Sequence, residues 1–373
     1  MKKLGVINGL RGIAILAVIY HHVFSWKTGP GFAAIDMGNA TLLPFTLLAN
    51  GWLGVNLFFI LSGFVLFYPY ALQQKQFDSL ACVKTFYWRR ATRLLPLYYF
   101  SLLICIIFIV KPLSIASLGE DAFYLLTVTF NFTNDLWAPR YNWVLWSLGI
   151  EVWFSILFPL LIVCIKKYGV IQVLIAVLII SLATRIIGND PQYYTVNPYL
   201  NPIKDSLLGR LDEFLWGMFV CYFYVNHLHK ITKKWSVILF TLGILLVFVA
   251  SLSWDYVILK MLPPSFIPFI NIILDAGFVM LTISLLAMRE NVIKWLFSNY
   301  LIQLFGVMCY SLYIWHGVAI PNIISAYDFL HLAMYFSLVF ILSCFSYRYI
   351  EFGYKKDIKA LFLLKPTVKK ENL

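Results

Sequence analysis

The sequence predicts an all-α integral membrane protein of about ten transmembrane helices packed around a polar cavity. Of its 373 residues, 61% are hydrophobic and only 12% are charged, and the mean hydropathy is +0.82. A soluble chain of this length would need far more polar surface. The apolar residues also form about ten separate stretches of roughly 20 residues, the length that crosses a bilayer.

The candidate spans follow one another along the chain with no soluble domain between them: 6–26, 51–70, 94–111, 146–165, 170–188, 207–226, 235–252, 268–288, 301–320 and 331–351. The first is expected to be retained, because Arg11 interrupts it and no small-residue cleavage site follows. The segment 121–137 is apolar enough to embed. We expect a re-entrant or interfacial element there, since a full span would move Lys166 and Lys167 to the outer side.

The cations lie mainly in loops on one side of the predicted spans. They are Lys2 and Lys3, the arginines of the 71–93 loop, Lys166 and Lys167, the 227–234 and 289–294 loops and the end of the chain. By the positive-inside rule this side is the cytoplasm, so both termini are predicted to be cytoplasmic. The net charge of +12 then reflects topology and the lipid bilayer, and no nucleic-acid partner is expected. The organisation is one transmembrane domain, 1–353, with a basic cytoplasmic tail, 354–373.

Arg11 and His22 lie eleven positions apart in the first span. At about 100° and 1.5 Å per residue, they share a helix face to within about 20° and lie about 16 Å apart. His21 points about 80° away from that face. Ionisable groups inside a span are costly and usually face a polar cavity or a partner, so this pair is the first functional hypothesis.

On the cytoplasmic side, Arg90 and Arg93 lie three positions apart and lead into the third span. On a helix these positions share a face, and two guanidiniums there form an anion site. The alternative is that the arginines only anchor the span, and for Arg89 this alternative is favoured. Small residues at 51, 54, 62 and 63 allow close approach of a neighbouring span or of a ligand.

A second group of polar residues is predicted in the outer half of the membrane: His22, Glu151, Arg210, Asp212 and His316. Each has a purely structural alternative, and Arg210 with Glu151 in particular fits a buried ion pair. Together at one depth they favour a reaction centre, because a histidine with a carboxylate partner is the usual general base near neutral pH. The six cysteines have neither disulfide nor zinc spacing, and we expect no metal.

Seven motifs occur in a fixed order: Leu10–Ala14 with His22; Gly54–Val55 with Phe58, Phe59 and 62–64; Arg90-x-x-Arg93-x-x-Pro96; Trp146–Leu148 with Glu151; Arg210 with Phe214 and Gly217; Ser311-x-Tyr313-x-x-His316; and Tyr349–Glu351. Together they resemble acyltransferase family 3, integral-membrane enzymes that include O-antigen and exopolysaccharide acetylases. The sequence departs from that family at Val152-Trp153, where the family is usually more polar, and at Phe352-Gly353, where it usually has a proline.

The resemblance implies transfer of an acyl group, usually acetyl from cytoplasmic acetyl-CoA, to a hydroxyl of an extracytoplasmic or lipid-linked envelope carbohydrate. The expected location is the bacterial cytoplasmic membrane. Some relatives append an esterase-like domain; this chain ends after the last span, so we expect it to act alone or with a separate partner.

The residues take roles that fit this activity. His22 is the expected base or transient acyl acceptor, and Glu151 is expected to orient His22 or to position the acceptor. The other assignments are Arg11, Arg90, Arg93 and Ser62 for the coenzyme, and Arg210, Asp212, Tyr313 and His316, with the aromatics Trp137, Tyr141 and Trp143, for the sugar.

Two other classes fit a ten-span chain with buried charges. A flippase or exporter of a lipid-linked sugar predicts inverted repeats and paired broken helices, which the sequence does not show. A sensor or scaffold in envelope assembly is the third reading. Acetyl-CoA binding or hydrolysis by the purified protein separates both from an enzyme.

Overall fold

The computed structural model describes residues 4–25, 35–36, 41–109, 115–133, 137–190, 201–323 and 329–364. Lys2, Lys3 and residues 365–373 of the predicted tail lie outside these ranges. The described residues are helical apart from loops and a two-residue antiparallel ladder between β1 (Ile35–Asp36) and β2 (Thr41–Leu42). The predicted all-α class is therefore confirmed.

The helices of the described residues are, in chain order, α1 Leu4–Tyr20, α2 Thr46–Ala49, α3 Gly54–Ala71, α4 Leu80–Ile104, α5 Ile115–Thr127, α6 Leu145–Tyr168, α7 Val170–Gly188, α8 Leu207–Asn226, α9 Lys233–Ile258, α10 Ile267–Ala287, α11 Val292–Ser298, α12 Tyr300–Val307, α13 Cys309–Ile323, α14 Phe329–Phe345 and α15 Ile358–Leu361. Widened π-helical turns extend α1 through His21–Ser25, α4 through Cys105–Ile109 and α14 through Ser346–Glu351.

Eight helical segments in this part of the chain are long and apolar enough to cross a membrane, and a bent pair makes a ninth. The remaining predicted span, 207–226, corresponds to α8, a 20-residue helix. It falls outside that class because Arg210, Asp212 and Glu213 lie close to its start. All three are buried, because α8 packs against α3, α7 and α10 rather than facing lipid.

The predicted start of the third span is wrong. The prediction places it at 94, after a loop, but α4 begins at Leu80. There, Ser79 Oγ accepts a hydrogen bond of 3.3 Å from the Cys82 N–H. Charged residues lower the hydropathy of a segment without lowering its helix propensity, so the helix extends beyond its apolar part. Arg90 and Arg93 therefore lie inside a helix.

The ninth span was predicted as one segment, 301–320. It is instead a pair of helical segments, 292–307 and 309–318, bent by 60°. The first segment packs closely along α1, since a Cβ atom on Gly306 would overlap the Asn8 carbonyl. The bend at Met308 then directs α13 along a different axis.

Helix α5 has 13 residues, about 20 Å at 1.5 Å per residue. This is shorter than the roughly 30 Å hydrocarbon core. It agrees with the prediction that 121–137 does not form a full span, although 134–136 lie outside the described residues. Asp121 on α5 accepts a 3.1 Å hydrogen bond from Tyr141 and pairs with Arg140 at 3.3 Å, which ties α5 to the loop before α6.

Helix α3 lies at the centre of the bundle, and its small residues make close packing possible. A Cβ atom on Gly63 would overlap the Phe214 carbonyl of α8, and one on Gly54 would overlap the Ala14 carbonyl of α1. The small residues noted in the sequence therefore permit helix–helix contact, and Ser62 lines a cavity.

Candidate active site

Helices α1, α3, α4, α6 and α13 enclose a cavity of about 210 Å³. Its lining is unusually polar for a membrane protein: Arg11, Ser62, Val65, Leu66, Arg90, Arg93, Leu94, Glu151 and Tyr310. We call Arg11, Arg90, Arg93, Glu151 and Glu351 the arginine cluster. The structure thus brings together all four residues that the sequence assigned to the coenzyme.

Arg90 is held in a fixed orientation by two side chains of α6. Its Nη2 donates to Glu151 Oε1 at 2.9 Å and its Nε donates to Ser155 Oγ at 3.0 Å. Ser62 Oγ donates to the same Glu151 oxygen at 3.3 Å. Glu151 therefore belongs to the arginine cluster. The sequence analysis expected Glu151 to orient His22 or to position the acceptor, and the structure shows this carboxylate bonded to Arg90 of α4 and Ser62 of α3.

Arg93 is held by the end of α14. It forms an ion pair of 3.1 Å with Glu351, which also accepts a hydrogen bond from Ser311 Oγ. The guanidinium of Arg93 lies 4.1 Å from the centre of the Phe352 ring, and the Lys355 ammonium lies 4.2 Å from the same centre. Partial burial, and then the charge of Arg93, lower the pKa of Lys355. No sequence pattern distinguishes Lys355 from the other cations of the predicted basic tail, so its place beside Arg93 could not be predicted.

The arginine cluster has more positive than negative charge. Its three guanidiniums face two carboxylates, and Lys355 adds a further cation. Arg11 Nε is buried and has no hydrogen-bond partner among the described residues. The side chains of Arg90 and Arg93 are 18% and 24% exposed, so solvent and ligands reach them. This arrangement favours the binding of an anion.

A smaller cavity of about 50 Å³ extends the first one toward Tyr313. The two share Arg11, Ser62, Glu151 and Tyr310 as lining residues, so they adjoin. Tyr313 has its hydroxyl 2.7 Å from Ser147 Oγ, and its ring centre lies 5.3 Å from that of His316. A continuous line of side chains therefore connects the arginine cluster with His316.

His22 and His316 form a direct pair, with 2.9 Å between His22 Nδ1 and His316 Nε2 and with the two rings stacked at 5.1 Å. His316 Nδ1 lies 2.6 Å from the Tyr313 carbonyl oxygen. A carbonyl only accepts, so His316 Nδ1 carries a proton. A neutral His316 then accepts at Nε2, which requires His22 to donate from Nδ1. The lone pair of His22 is thereby assigned to Nε2, the atom that a general base uses.

The three aromatic residues that were predicted to hold the sugar have different contacts in the structure. The Trp143 ring contacts His22 edge-on, with 4.5 Å between ring centres. Trp137 instead stacks on Trp146, and Tyr141 bonds to Asp121. The loop before α6 is fixed to α13 by a 3.2 Å hydrogen bond from Asn142 Nδ2 to the Ile314 carbonyl. His21 turns away, with its Nδ1 2.6 Å from the Ala49 carbonyl oxygen.

Arg210 and Asp212, predicted to hold the sugar, line neither described cavity. Arg210 pairs with Asp205 and, at 2.7 Å, with Glu213. Asp212 pairs with Arg185 of α7. Both are at most 4% exposed. They are therefore part of a buried ion network, because the first turns of α8 point toward α7 and α10 rather than toward the cavity.

Comparison with known proteins identifies the family. The sequence profile of a family described as an acyltransferase domain matches residues 4–347. The chain belongs to this acyltransferase family. The resemblance that the motifs indicated is thereby confirmed.

Among its relatives, this acyltransferase is 28% identical to a Staphylococcus aureus (strain COL) protein provisionally named an O-acetyltransferase, over 97% of this chain and 59% of that protein. It is 25% identical to the peptidoglycan O-acetyltransferase OatA of Listeria monocytogenes, over 95% and 56% of the two chains. It is 26% identical to the O-acetyltransferase OatA of Staphylococcus aureus (strain MRSA252), over 98% and 59%. The chain thus spans less than two thirds of the length of these relatives. No solved structure gives a significant match.

Proposed function

We propose that this acyltransferase transfers an acyl group, acetyl in the simplest case, from cytoplasmic acyl-CoA to a hydroxyl of an envelope carbohydrate on the outer side of a bacterial membrane. The observation that carries the proposal lies on α1 and its π-helical extension. Arg11 belongs to the arginine cluster and His22 belongs to the histidine pair. The two are about 16 Å apart along the helix, a distance that the thin pantetheine arm of coenzyme A can bridge.

The arginine cluster suits the phosphates of the coenzyme. Planar guanidiniums bind phosphate with two parallel hydrogen bonds. The N–H group at Arg11 Nε has no partner among the described residues, so it can donate to a phosphate oxygen. The cavity of about 210 Å³ is smaller than the roughly 300–1,000 Å³ of sites that enclose a whole small molecule. It therefore accommodates only part of the coenzyme, and the rest of the molecule remains outside this cavity.

The histidine pair supplies the base. His22 Nε2 removes the proton of the acceptor hydroxyl while the oxygen attacks the thioester carbonyl. A C–O bond forms, the C–S bond breaks, and the coenzyme thiolate takes the proton from His22. The hydrogen bonds from His22 to His316, and from His316 to the Tyr313 carbonyl, stabilise the imidazolium during the transfer. A two-step route, in which the acyl group first bonds to His22 Nε2, uses the same atom. Glu151 acts on the donor side by holding Arg90.

The acceptor is a carbohydrate in this proposal because the relatives are named O-acetyltransferases and one is named for peptidoglycan. A sugar exporter is the alternative, and it shares the membrane helices. It gives no use for a base of fixed tautomer beside an anion-binding cavity. Mass spectrometry of envelope glycans from cells with and without the protein identifies the acceptor.

Oriented vesicles test the proposal. In a variant without native cysteines, Thr85→Cys and Lys260→Cys place exposed thiols on the predicted inner and outer sides. An impermeant thiol reagent applied to cells should label position 260 alone. In vesicles of known orientation, acetyl-CoA on the cytoplasmic side should then acylate an acceptor on the other side, and free coenzyme A should not. Labelling of both positions, or transfer without acyl-CoA, would contradict the mechanism.

A further inference from the structure

A second polar centre lies away from the active site, where α3, α8 and α10 meet. We call Asp212, Glu213, Asp275 and Asn56 the carboxylate cluster. All four residues are 0% exposed. One oxygen from each of the three carboxylates lies within 4.8 Å of the other two. Asn56 Nδ2 donates to Glu213 Oε1 at 3.0 Å, which brings the amide of α3 to the same place.

The ion network does not account for the burial of the Asp275 carboxylate. Arg185 bonds to Asp212 and Arg210 bonds to Glu213, but Asp275 has neither an ion pair nor a hydrogen bond among the described residues. Within the described ranges, both of its oxygens are buried without a hydrogen-bond partner, as are Asp212 Oδ2, Glu213 Oε2 and Asn56 Oδ1. Arg185 Nη1 is the one unpartnered donor of the described network. Buried carboxylate oxygens without partners are strongly destabilising.

The net charge of the carboxylate cluster and its ion network indicates which kind of ion could bind there. Three cationic side chains and four carboxylates are buried together: Lys204, Arg185 and Arg210, with Asp205, Asp212, Glu213 and Asp275. One negative charge remains. A monovalent cation neutralises it, whereas a divalent cation would leave an excess positive charge inside the membrane. Hard cations take oxygen ligands, and ligand oxygens at most 4.8 Å apart fit metal–oxygen bonds of about 2.4 Å.

We propose that the carboxylate cluster is a sodium site whose ligands are carboxylate oxygens of Asp212, Glu213 and Asp275 and the amide oxygen of Asn56. The ion links three helices, and α3 also carries Phe58, Phe59 and Ser62, which line the smaller cavity. Sodium binding therefore stabilises the helix that forms one wall of the active site.

The test measures the melting temperature (Tm) of the purified full chain in NaCl, KCl or choline chloride at equal ionic strength. We expect Tm to rise by about 3–6 °C with saturating NaCl and not with choline. Asp275→Asn removes the unpaired charge and should abolish this response, while its Tm in choline should be no lower than that of the wild type. The matched control is Asp255→Asn. Asp255 is also buried, but it accepts hydrogen bonds from Thr46 and Asn50 at 2.5 and 2.7 Å, so its loss should leave the sodium response intact.

Sodium bound after dialysis, measured by atomic absorption, gives a readout that does not depend on the variants folding. About one ion per chain is expected. Three results would overturn the proposal: no bound sodium with equal Tm in all salts, stabilisation by Ca²⁺ but not by Na⁺, or a stability that follows pH alone, which would indicate a proton shared by Asp275 instead.

Discussion

The arginine cluster and the carboxylate cluster are both groups of charged residues inside the membrane domain, and their imbalances are opposite. The arginine cluster has surplus positive charge, an Arg11 nitrogen without a hydrogen-bond partner in the part of the chain that the structure describes, and a cavity lined by its arginines. The carboxylate cluster has surplus negative charge, unpartnered oxygens and no cavity among those described. The first suits an extended anion that enters from solvent. The second suits a small cation that stays enclosed.

The comparison shows that a charge in a span does not by itself identify a catalytic residue. Ionisable groups in membranes signal function only together with their partners and their access to a cavity. Arg90 and Arg210 both pair with a glutamate at close range, 2.9 and 2.7 Å. Arg90 lines a cavity, and Arg210 is enclosed by protein. Variants in the two clusters should therefore change different measured quantities.

The largest expected effect belongs to the histidine pair. His22→Ala should lower acyl transfer by a factor of about 10²–10⁴, because general-base catalysis typically contributes that much. The measurement is product acylation by membranes with matched amounts of protein. His21→Ala is the control, since the Nδ1 atom of His21 is directed to the Ala49 carbonyl. Full activity without His22, or an equal loss in both variants, would remove His22 from the mechanism.

The next effect concerns stability. Arg185→Ala leaves Asp212 buried without its ion pair, and losing one partner of a buried pair costs about 3–5 kcal/mol. We expect a large fall in Tm and in the amount of folded protein, while the surviving molecules keep their affinity for acyl-CoA. The double variant Arg185→Met/Asp212→Leu should recover much of the stability, because it removes both charges. A double variant no more stable than the single one would mean that the ion network is required for folding.

The sequence predicts properties that depend on residues near one another in the chain, and it does not predict those that depend on which helices pack together. Helix positions depend on apolar length, so they could be predicted. The shared face of Arg11 and His22 stays a prediction from α-helix geometry, which the π-helical turn at His21–Ser25 modifies. The partner of Glu151, Arg90, depends on which helices become neighbours, and the position of each residue in the sequence does not determine that. Asp275, a lone carboxylate in an apolar span, was a signal that could have been found. The bend at Met308 and the start of α4 at Leu80 have no signature in hydropathy.

A smaller effect is expected from Arg90→Lys. Lysine keeps the charge but cannot bond to Glu151 and Ser155 together or offer a planar fork to phosphate, so the Kd for acyl-CoA should rise about tenfold. Calorimetric titration of the purified protein measures it. Arg89→Lys is the matched control, one residue away on the exposed side of α4. Arg185→Lys should lower Tm without changing the Kd. Equal donor affinity in Arg90→Lys and the wild type would reduce Arg90 to a membrane anchor.

The smallest effect decides whether Glu151 acts on the donor or on the base. Ser62→Ala removes the 3.3 Å hydrogen bond to Glu151 Oε1, worth about 0.5–1.5 kcal/mol. Because Glu151 also holds Arg90, we expect the KM for acyl-CoA to rise about threefold, with kcat and its pH profile unchanged. Ser101→Ala is the control, since Ser101 is also buried and its described hydrogen bond stays within its own helix, to the Tyr98 carbonyl at 2.8 Å. A fall in kcat with an altered pH profile and an unchanged KM would instead couple Glu151 to His22, and the arginine cluster and the histidine pair would then act as one unit.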